Sequence, residues 1–135
     1  MPHILIAGRL HPAGIALLDH TPGVTYDYVE DVSEASYAPL IAQADALVLR
    51  TQPLSAPTVK KAARLRIVSR HGVGYDAVDV RALDARGICL CIAGDVNSVS
   101  VAEHAMTLIL ACTKHLLAAD RAVRDGQWAW RNRLM

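Results

Sequence analysis

The sequence lacks three features that would each point to a particular class of protein. Its net charge is only +1, from 14 basic and 13 acidic side chains, so nothing in it favours nucleic acid or an anionic membrane as a partner. Its longest apolar stretch, around residues 105–112, is interrupted by Thr107 and is too short to span a bilayer. No basic region precedes the first apolar run, so we expect no signal peptide.

Cysteine is also scarce. Three cysteines, an odd number, are typical of a protein kept reduced, so we expect a cytoplasmic location and no disulfide framework. Cys89 and Cys91 have a spacing seen in metal sites, but they alternate along an apolar strand. We therefore interpret them as buried structural residues and predict no metal site.

What the sequence has is a globular composition, with 53% hydrophobic and 20% charged residues, and an alternating pattern. Five short apolar runs predict strands over residues 4–7, 24–29, 46–49, 65–68 and 88–92. The first, third and fifth are nearly continuous in apolar character, which favours strands covered on both faces. Helical patterns with Pro or cap residues at their starts lie between them, over residues 12–20, 36–44, 55–63 and 79–86. Such alternation predicts an α/β fold with right-handed crossovers and a doubly wound, parallel five-stranded sheet.

A different pattern follows the fifth strand. Ser100 and Glu103 form a capping-box sequence, with Ser98 as a competing cap, and a long helix is predicted from there to about Arg124. Its apolar positions cover more than one stripe, which one face of a small sheet cannot bury. We expect this helix to contact a second domain or a second chain; the alternative is a central core helix of one domain.

The candidate site lies where the strands end, because ligands of open parallel sheets bind beyond the carboxyl ends of the strands. The residues at those ends include Gly8-Arg9, Arg50-Thr51-Gln52, the run Arg70 to Gly74, and the run Ala93 to Asn97. A glycine loop lets backbone N–H groups approach an anion, and an arginine can bind a carboxylate through two hydrogen bonds. The loop His71-Gly72-Val73-Gly74 is therefore predicted to bind a small acidic ligand.

A dinucleotide site is the main alternative for this loop. Residues 72–77 match the relaxed pattern G-x-G-x-x-A after a strand, and Asp95 follows about 20 residues later. Against it, three β/α units precede the motif, and Asp79 predicts a helix start too late to meet a pyrophosphate. Asp76 and Asp79 would also place carboxylates beside a dianion.

Several runs together resemble one family. They are Arg-His-Gly-Val-Gly-Tyr-Asp-Ala-Val-Asp at 70–79, Ala-Arg-Gly-Ile at 85–88, Asn-Ser-Val-Ser-Val-Ala-Glu-His at 97–104, and Arg50-Thr51. This combination closely resembles the D-isomer-specific 2-hydroxyacid dehydrogenase family, which includes phosphoglycerate dehydrogenase, hydroxypyruvate reductase and formate dehydrogenase. The resemblance covers the N-terminal portion of such enzymes only.

The resemblance implies how the chain is organised and which residues bind. Residues 1–97 would form a flavodoxin-like substrate-binding domain, and residues 98–135 an inter-domain helix leading to a Rossmann domain that binds NAD or NADP. Arg50 and the backbone N–H groups of Val73 and Gly74 would hold the substrate carboxylate, with Asn97 also contacting substrate. Val73 and Ser98 would touch the cofactor, and Glu103 would have a structural role.

The resemblance also implies what this chain does not contain. The family's dinucleotide fingerprint and its catalytic arginine, glutamate and histidine would come after residue 135. The intact protein would be an NAD(P)-dependent oxidoreductase that reduces a 2-oxo acid by hydride transfer, whereas we expect the 135 residues alone to be inactive. Separately from the resemblance, the apolar surface of helix 99–124 leads us to expect a homodimer or self-association through that helix.

Two other classes stay open at the level of sequence. One is a non-enzymatic, NAD-linked binding or co-repressor-like module on the same fold. The other is a receiver-like signalling domain, which needs an acidic cluster after the first strand, where Gly8-Arg9 supplies none.

Overall fold

A parallel sheet forms the centre of the first part of the chain. The structure, a computed structural model, describes residues 1–133. Its strands within that range are β1 (His3–Ala7), β2 (Thr25–Val29), β3 (Ala46–Leu49), β4 (Ile67–Arg70) and β5 (Cys89–Ile92). All neighbouring pairs are parallel, and the strand order is β2-β1-β3-β4-β5. This order is that of flavodoxin-like doubly wound sheets, so the predicted fold class is confirmed.

The chain divides into two compact units. The first spans Met1–Gly94, and the second begins at Asp95. The first unit also contains α1 (Pro12–Asp19), α2 (Glu34–Tyr37), a 3-10 helix (Ile41–Gln43), α3 (Ala56–Lys61) and α4 (Val80–Asp84). The second contains α5 (Ser98–Thr113), α6 (Leu116–Arg124) and a 3-10 helix (Trp128–Arg133).

The main core lies on one face of the sheet. Side chains alternate between faces along a strand, and the register pairs Leu5 with Leu47 and Leu47 with Val68, so these three share a face. They are fully buried in one cluster with residues from α2, the first 3-10 helix, α3 and α4, which are Tyr37, Ile41, Val59 and Leu83. Each such buried side chain contributes about 1.5–3 kcal/mol to the hydrophobic stabilisation of the fold.

The second helix differs from its prediction. The sequence pattern predicts a helix over residues 36–44 with Ser36 as its cap, but the N-cap is Ser33 and α2 covers only Glu34–Tyr37. The Ser36 hydroxyl instead donates a hydrogen bond to the Ser33 carbonyl, at 2.7 Å. With this earlier start, Pro39 falls beyond the first turn, where it lacks the N–H that would continue the helix. The chain continues as the short 3-10 helix.

The predicted long helix is also wrong in its start and in its continuity. The N-cap is Asn97, so Ser98 and Ser100 both lie inside α5, and Glu103 is not a capping-box partner. The helix then breaks, because His115 adopts a left-handed conformation with φ of 49° between α5 and α6. Histidine is among the few residues other than glycine that adopt this conformation with some frequency.

The interpretation of Cys89 and Cys91 as buried residues is wrong. β5 is an edge strand in the sheet order, and both cysteines are exposed, as is Ile92. The expectation that the fifth strand is covered on both faces therefore does not hold. An apolar run shows that a strand can be buried, but it does not show whether a neighbouring element is present to bury it.

Candidate functional site

The ends of β1, β3 and β4 bring the predicted binding residues of the first unit to one edge of the sheet. Leu49 pairs with Arg70, so Arg50 and His71 follow side by side, and the His71 N–H donates to the Leu49 carbonyl at 2.7 Å. The Arg50 N–H donates to the Ala7 carbonyl at 2.9 Å. Arg50 therefore stands between the end of β1 and the glycine loop after β4.

The loop His71-Gly72-Val73-Gly74 presents backbone donors that the fold does not use. The Gly72 N–H donates to the Arg70 carbonyl at 2.8 Å, and the Gly72 carbonyl accepts from the Ala93 N–H at 3.1 Å. Within residues 1–133, no acceptor lies in hydrogen-bond reach of the N–H of Val73 or Gly74. Gly74 is exposed and Val73 is half-buried. Successive backbone N–H groups without an internal partner are available to donate hydrogen bonds to an anion.

Arg50 is exposed and keeps most of its donors free. Its Nη1 donates to the Arg9 carbonyl at 3.2 Å, and its other guanidinium N–H groups have no partner within the described chain. A guanidinium carries five N–H donors in a fixed plane, which leaves enough of them to bind a carboxylate through two parallel bonds.

Two neighbours of Arg50 that sequence reasoning did not assign a role fix its backbone. Gly8 is buried with φ of +102°, and a Cβ placed there would lie 2.6 Å from the Arg50 Cβ. The buried Gln52 donates from Nε2 to the Asp31 carbonyl at 2.8 Å and accepts from the Thr51 N–H at 3.0 Å. A glycine after a strand and a polar residue two positions beyond an arginine are weak signals, because only the fold brings them together.

A shallow groove of about 320 Å³ opens at the same edge of the first unit. Its basic and imidazole groups are His11, Arg70 and His71, and its apolar wall includes Val48 and Ile92. His11 is also the N-cap of α1, where its Nδ1 accepts from the Ala13 N–H at 3.2 Å. Arg70 Nη1 donates a hydrogen bond to the His71 carbonyl. Within residues 1–133, the side chains of His11 and His71 make no hydrogen bond to the glycine loop. Arg50, Val73 and Gly74 are not among the residues that line this groove, so the groove does not contain the predicted carboxylate-binding groups.

The geometry after the loop disfavours the dinucleotide alternative. Helix α4 begins at Val80, and Asp79 is its N-cap, with Oδ1 accepting from the Ala82 N–H at 3.0 Å. The predicted cap is therefore confirmed. The helix starts six residues after Gly74, so its N-terminal N–H groups do not belong to the glycine motif as a pyrophosphate site requires.

The other two predicted site residues belong to the second unit. Asn97 and Ser98 are both exposed, at the N-cap and the first residue of α5. The Asn97 side chain makes no capping hydrogen bond, so its amide is free in the part of the chain that the structure describes. Their contacts with substrate and cofactor stay predictions.

Residues 1–133 contain no cluster of three or more His, Cys, Asp or Glu side chains that could hold a metal ion. None of the helices in that range combines the length and the apolar character needed to cross a membrane.

Comparisons with known proteins agree on one relationship. Residues 4–128 match the family model described as D-isomer specific 2-hydroxyacid dehydrogenase, catalytic domain. The chain is 36% identical over 129 residues to D-3-phosphoglycerate dehydrogenase of Mycobacterium tuberculosis, covering 95% of this chain but 24% of that protein. It thus spans about a quarter of the length of the curated relatives that it matches across most of its length.

Solved structures show the same correspondence. An NADPH-dependent glyoxylate/hydroxypyruvate reductase of Sinorhizobium meliloti, crystallised with citrate, has a TM-score of 0.72 and 29% identity, over 96% of this chain and 40% of that one. An NAD-dependent formate dehydrogenase of Staphylococcus aureus has a TM-score of 0.80 at 20% identity, over 96% of this chain and 44% of that one, and supports the fold alone.

Proposed function

Because the chain belongs to the D-isomer specific 2-hydroxyacid dehydrogenase family, we propose that it is the substrate-binding part of an NAD(P)-dependent oxidoreductase. The reaction would be reduction of a 2-oxo acid to a D-2-hydroxy acid. Relatives named as a phosphoglycerate dehydrogenase and a glyoxylate/hydroxypyruvate reductase support this class of substrate. All of these substrates carry a carboxylate next to the reacting carbon.

One observation carries the proposal, namely the free N–H groups of Val73 and Gly74 at the sheet edge that also holds Arg50. A carboxylate has two oxygens with about four acceptor positions, enough for both amides and a guanidinium. Each hydrogen bond to a charged partner contributes about 1.5–3 kcal/mol. Holding the carboxylate in this way would fix the orientation of the neighbouring carbon, which is the contribution of the substrate domain to the reaction.

The nicotinamide cofactor would supply the hydride. The glycine loop of this chain does not fit the cofactor's pyrophosphate, because α4 begins too far along and Asp79 already accepts its N-terminal N–H. We therefore assign NAD or NADP mainly to a domain outside these residues. Within this chain, Val73 and Ser98 would contact its edge, and Asn97 would contact the substrate.

The proposal is tested by amide NMR on the 135-residue chain with glyoxylate. Titration is expected to shift the Val73 and Gly74 amide signals in a saturable way. Arg50→Gln should weaken the fitted affinity about 10-fold or more, since it removes the charged partner. Arg81→Gln is the matched control, because Arg81 is an exposed arginine on α4 with no side-chain hydrogen bond in the described chain.

Two outcomes would contradict the proposal. In one, the Val73 and Gly74 signals do not move while other amides do. In the other, Arg81→Gln weakens binding as much as Arg50→Gln, which would mean that glyoxylate responds only to the total charge.

We also propose that the second unit supports self-association. α5 is apolar on more than one side, and Val101, Met106, Leu108, Ile109 and Leu110 are all more than half exposed. A helix that is apolar all round is normally buried by a neighbour. A second copy of this chain would supply that neighbour.

A further inference from the structure

Two thiols stand together outside the proposed substrate site. Cys89 and Cys91 lie two residues apart on the edge strand β5, so their side chains project from the same face of the sheet. Both are exposed and free, and their Sγ atoms are 3.9 Å apart. The carboxylate-binding loop and Arg50 use neither of them.

The distance between the sulfurs favours one kind of partner. A disulfide requires an S–S distance of about 2.05 Å, which an extended strand with i and i+2 cysteines reaches only after distortion. Two thiolates bound to one tetrahedral ion, each at about 2.3 Å, stand about 3.8 Å apart. The thiol–thiol hydrogen bond already accounts for the observed separation, and the same separation is compatible with two bonds to a shared metal ion without movement of the strand.

From this match we infer that Cys89 and Cys91 form a two-thiolate binding site for a soft metal ion. Thiolates select thiophilic ions such as Zn²⁺, Cd²⁺ or Cu⁺ over hard ions such as Mg²⁺. Two metal–sulfur bonds form, and each thiol gives up one proton to solvent, so two protons leave for each ion bound. Since no third His, Cys, Asp or Glu joins the pair in residues 1–133, water completes the coordination shell.

The surroundings of the pair are compatible with access by an ion. On the neighbouring strand, Ile67 pairs with Cys89 and Ser69 pairs with Cys91, so these residues share the face of the thiols. Both are exposed, and neither carries a charge that would repel a cation.

The test is a titration of the reduced 135-residue chain with Cd²⁺, followed by the ultraviolet absorbance of the cadmium–thiolate bond. One ion per chain is expected to bind. Cys89→Ser and Cys91→Ser should each weaken binding about 100-fold or more, because the second thiolate binds as an intramolecular ligand. Cys112→Ser is the matched control, since Cys112 is a free, exposed cysteine on α5, and it should leave the affinity unchanged.

A second measurement keeps the result independent of folding defects in the variants. In the unmodified chain, Cd²⁺ should protect Cys89 and Cys91 from alkylation, as read by peptide mass spectrometry, while it leaves the alkylation rate of Cys112 unchanged. The inference is overturned if either single serine variant binds Cd²⁺ as tightly as the parent. It is equally overturned if Cys112→Ser abolishes binding, or if Cd²⁺ fails to protect the pair.

Discussion

At the scale of single residues, the position of Arg50 depends on a glycine that never touches a ligand. Gly8 follows β1 with φ of +102° and approaches Arg50 and Gln52 so closely that no side chain fits between them. A left-handed backbone costs other residues about 1–2 kcal/mol, and a steric clash adds to that cost. The positive φ and the lack of space for a Cβ therefore both require glycine at position 8.

We predict that Gly8→Ala lowers the free energy of unfolding by about 3 kcal/mol, the sum of backbone strain and the contact with Arg50. Gly23→Ala is the control, because Gly23 has φ of +79° but nothing within 4 Å of its added Cβ. It should lose only about 1–2 kcal/mol. Urea unfolding of both variants measures the difference; equal losses would show that the contact with Arg50 has no effect.

Single-residue predictions from sequence succeeded where one local interaction decides the outcome. Asp79 caps α4 as predicted, because its carboxylate reaches an N–H three residues away and needs no distant partner. Ser36 and Ser100 failed as caps because another residue, Ser33 or Asn97, was also able to occupy that place. The exposure of Cys89 could not be predicted either, since it depends on which elements cover β5.

At the scale of elements, the strands were more predictable than the helices. β3 was predicted with its observed bounds, whereas β4 starts two residues later than expected. Leu65 is apolar because it packs in the core before the strand begins, and Ser69 and Arg70 extend the strand through backbone pairing with β3 and β5. An apolar pattern indicates which residues are buried. It predicts the bounds of a strand only where the buried residues are also those that pair with neighbouring strands.

At the amino-terminal ends of the strands, opposite the candidate site, the carboxylate of Asp45 links His3 and Arg64. Asp45 precedes β3, and its Oδ2 accepts from the His3 N–H at 2.8 Å and from Arg64 Nη2 at 2.8 Å. The His3 N–H, and then the Arg64 guanidinium, hold the pKa of Asp45 below its usual value. The native state therefore binds this proton more weakly than the unfolded chain does, so the stabilisation exists above the unfolded pKa of about 3.9 and is lost as pH falls through the folded pKa.

We predict that Asp45→Asn is less stable than the parent at pH 7 and that this gap narrows towards pH 3, because the parent loses the stabilisation by its carboxylate as that group becomes protonated. Urea unfolding at the two pH values measures the gap. Asp84→Asn serves as the control, because the Asp84 carboxylate is exposed and has no hydrogen-bond partner in residues 1–133. A gap for Asp45→Asn that is as wide at pH 3 as at pH 7 would refute the predicted role of its charge.

At the scale of the whole molecule, the first unit followed its sequence pattern more closely than the second. A parallel sheet has few alternatives once strands and helices alternate, so its class was predictable. The break between α5 and α6 was not predictable. His115 adopts a left-handed backbone there, but it is neither glycine nor proline, the residues that usually indicate a helix break in a sequence. The exposed apolar surface of the second unit was expected, and it leads to a prediction about assembly.

We predict that the chain forms dimers or larger species at high concentration and that Leu108→Lys shifts it towards the monomer, because a charge in an apolar interface is costly to bury. Light scattering over a concentration series measures the mass. Leu17→Lys is the control, since Leu17 is an exposed leucine on α1 and should leave the mass unchanged. A clean monomer for the parent chain at high concentration would count against this assembly.

The free amides of Val73 and Gly74 have a consequence for how this binding site tolerates mutation. Every encoded residue except proline carries the same N–H, so most point mutations at these two positions leave both donors in the chain. What they can change is the path of the backbone and the space above the loop. Mutational drift at position 73 would therefore alter which acids fit far more readily than it would abolish the capacity to hold a carboxylate.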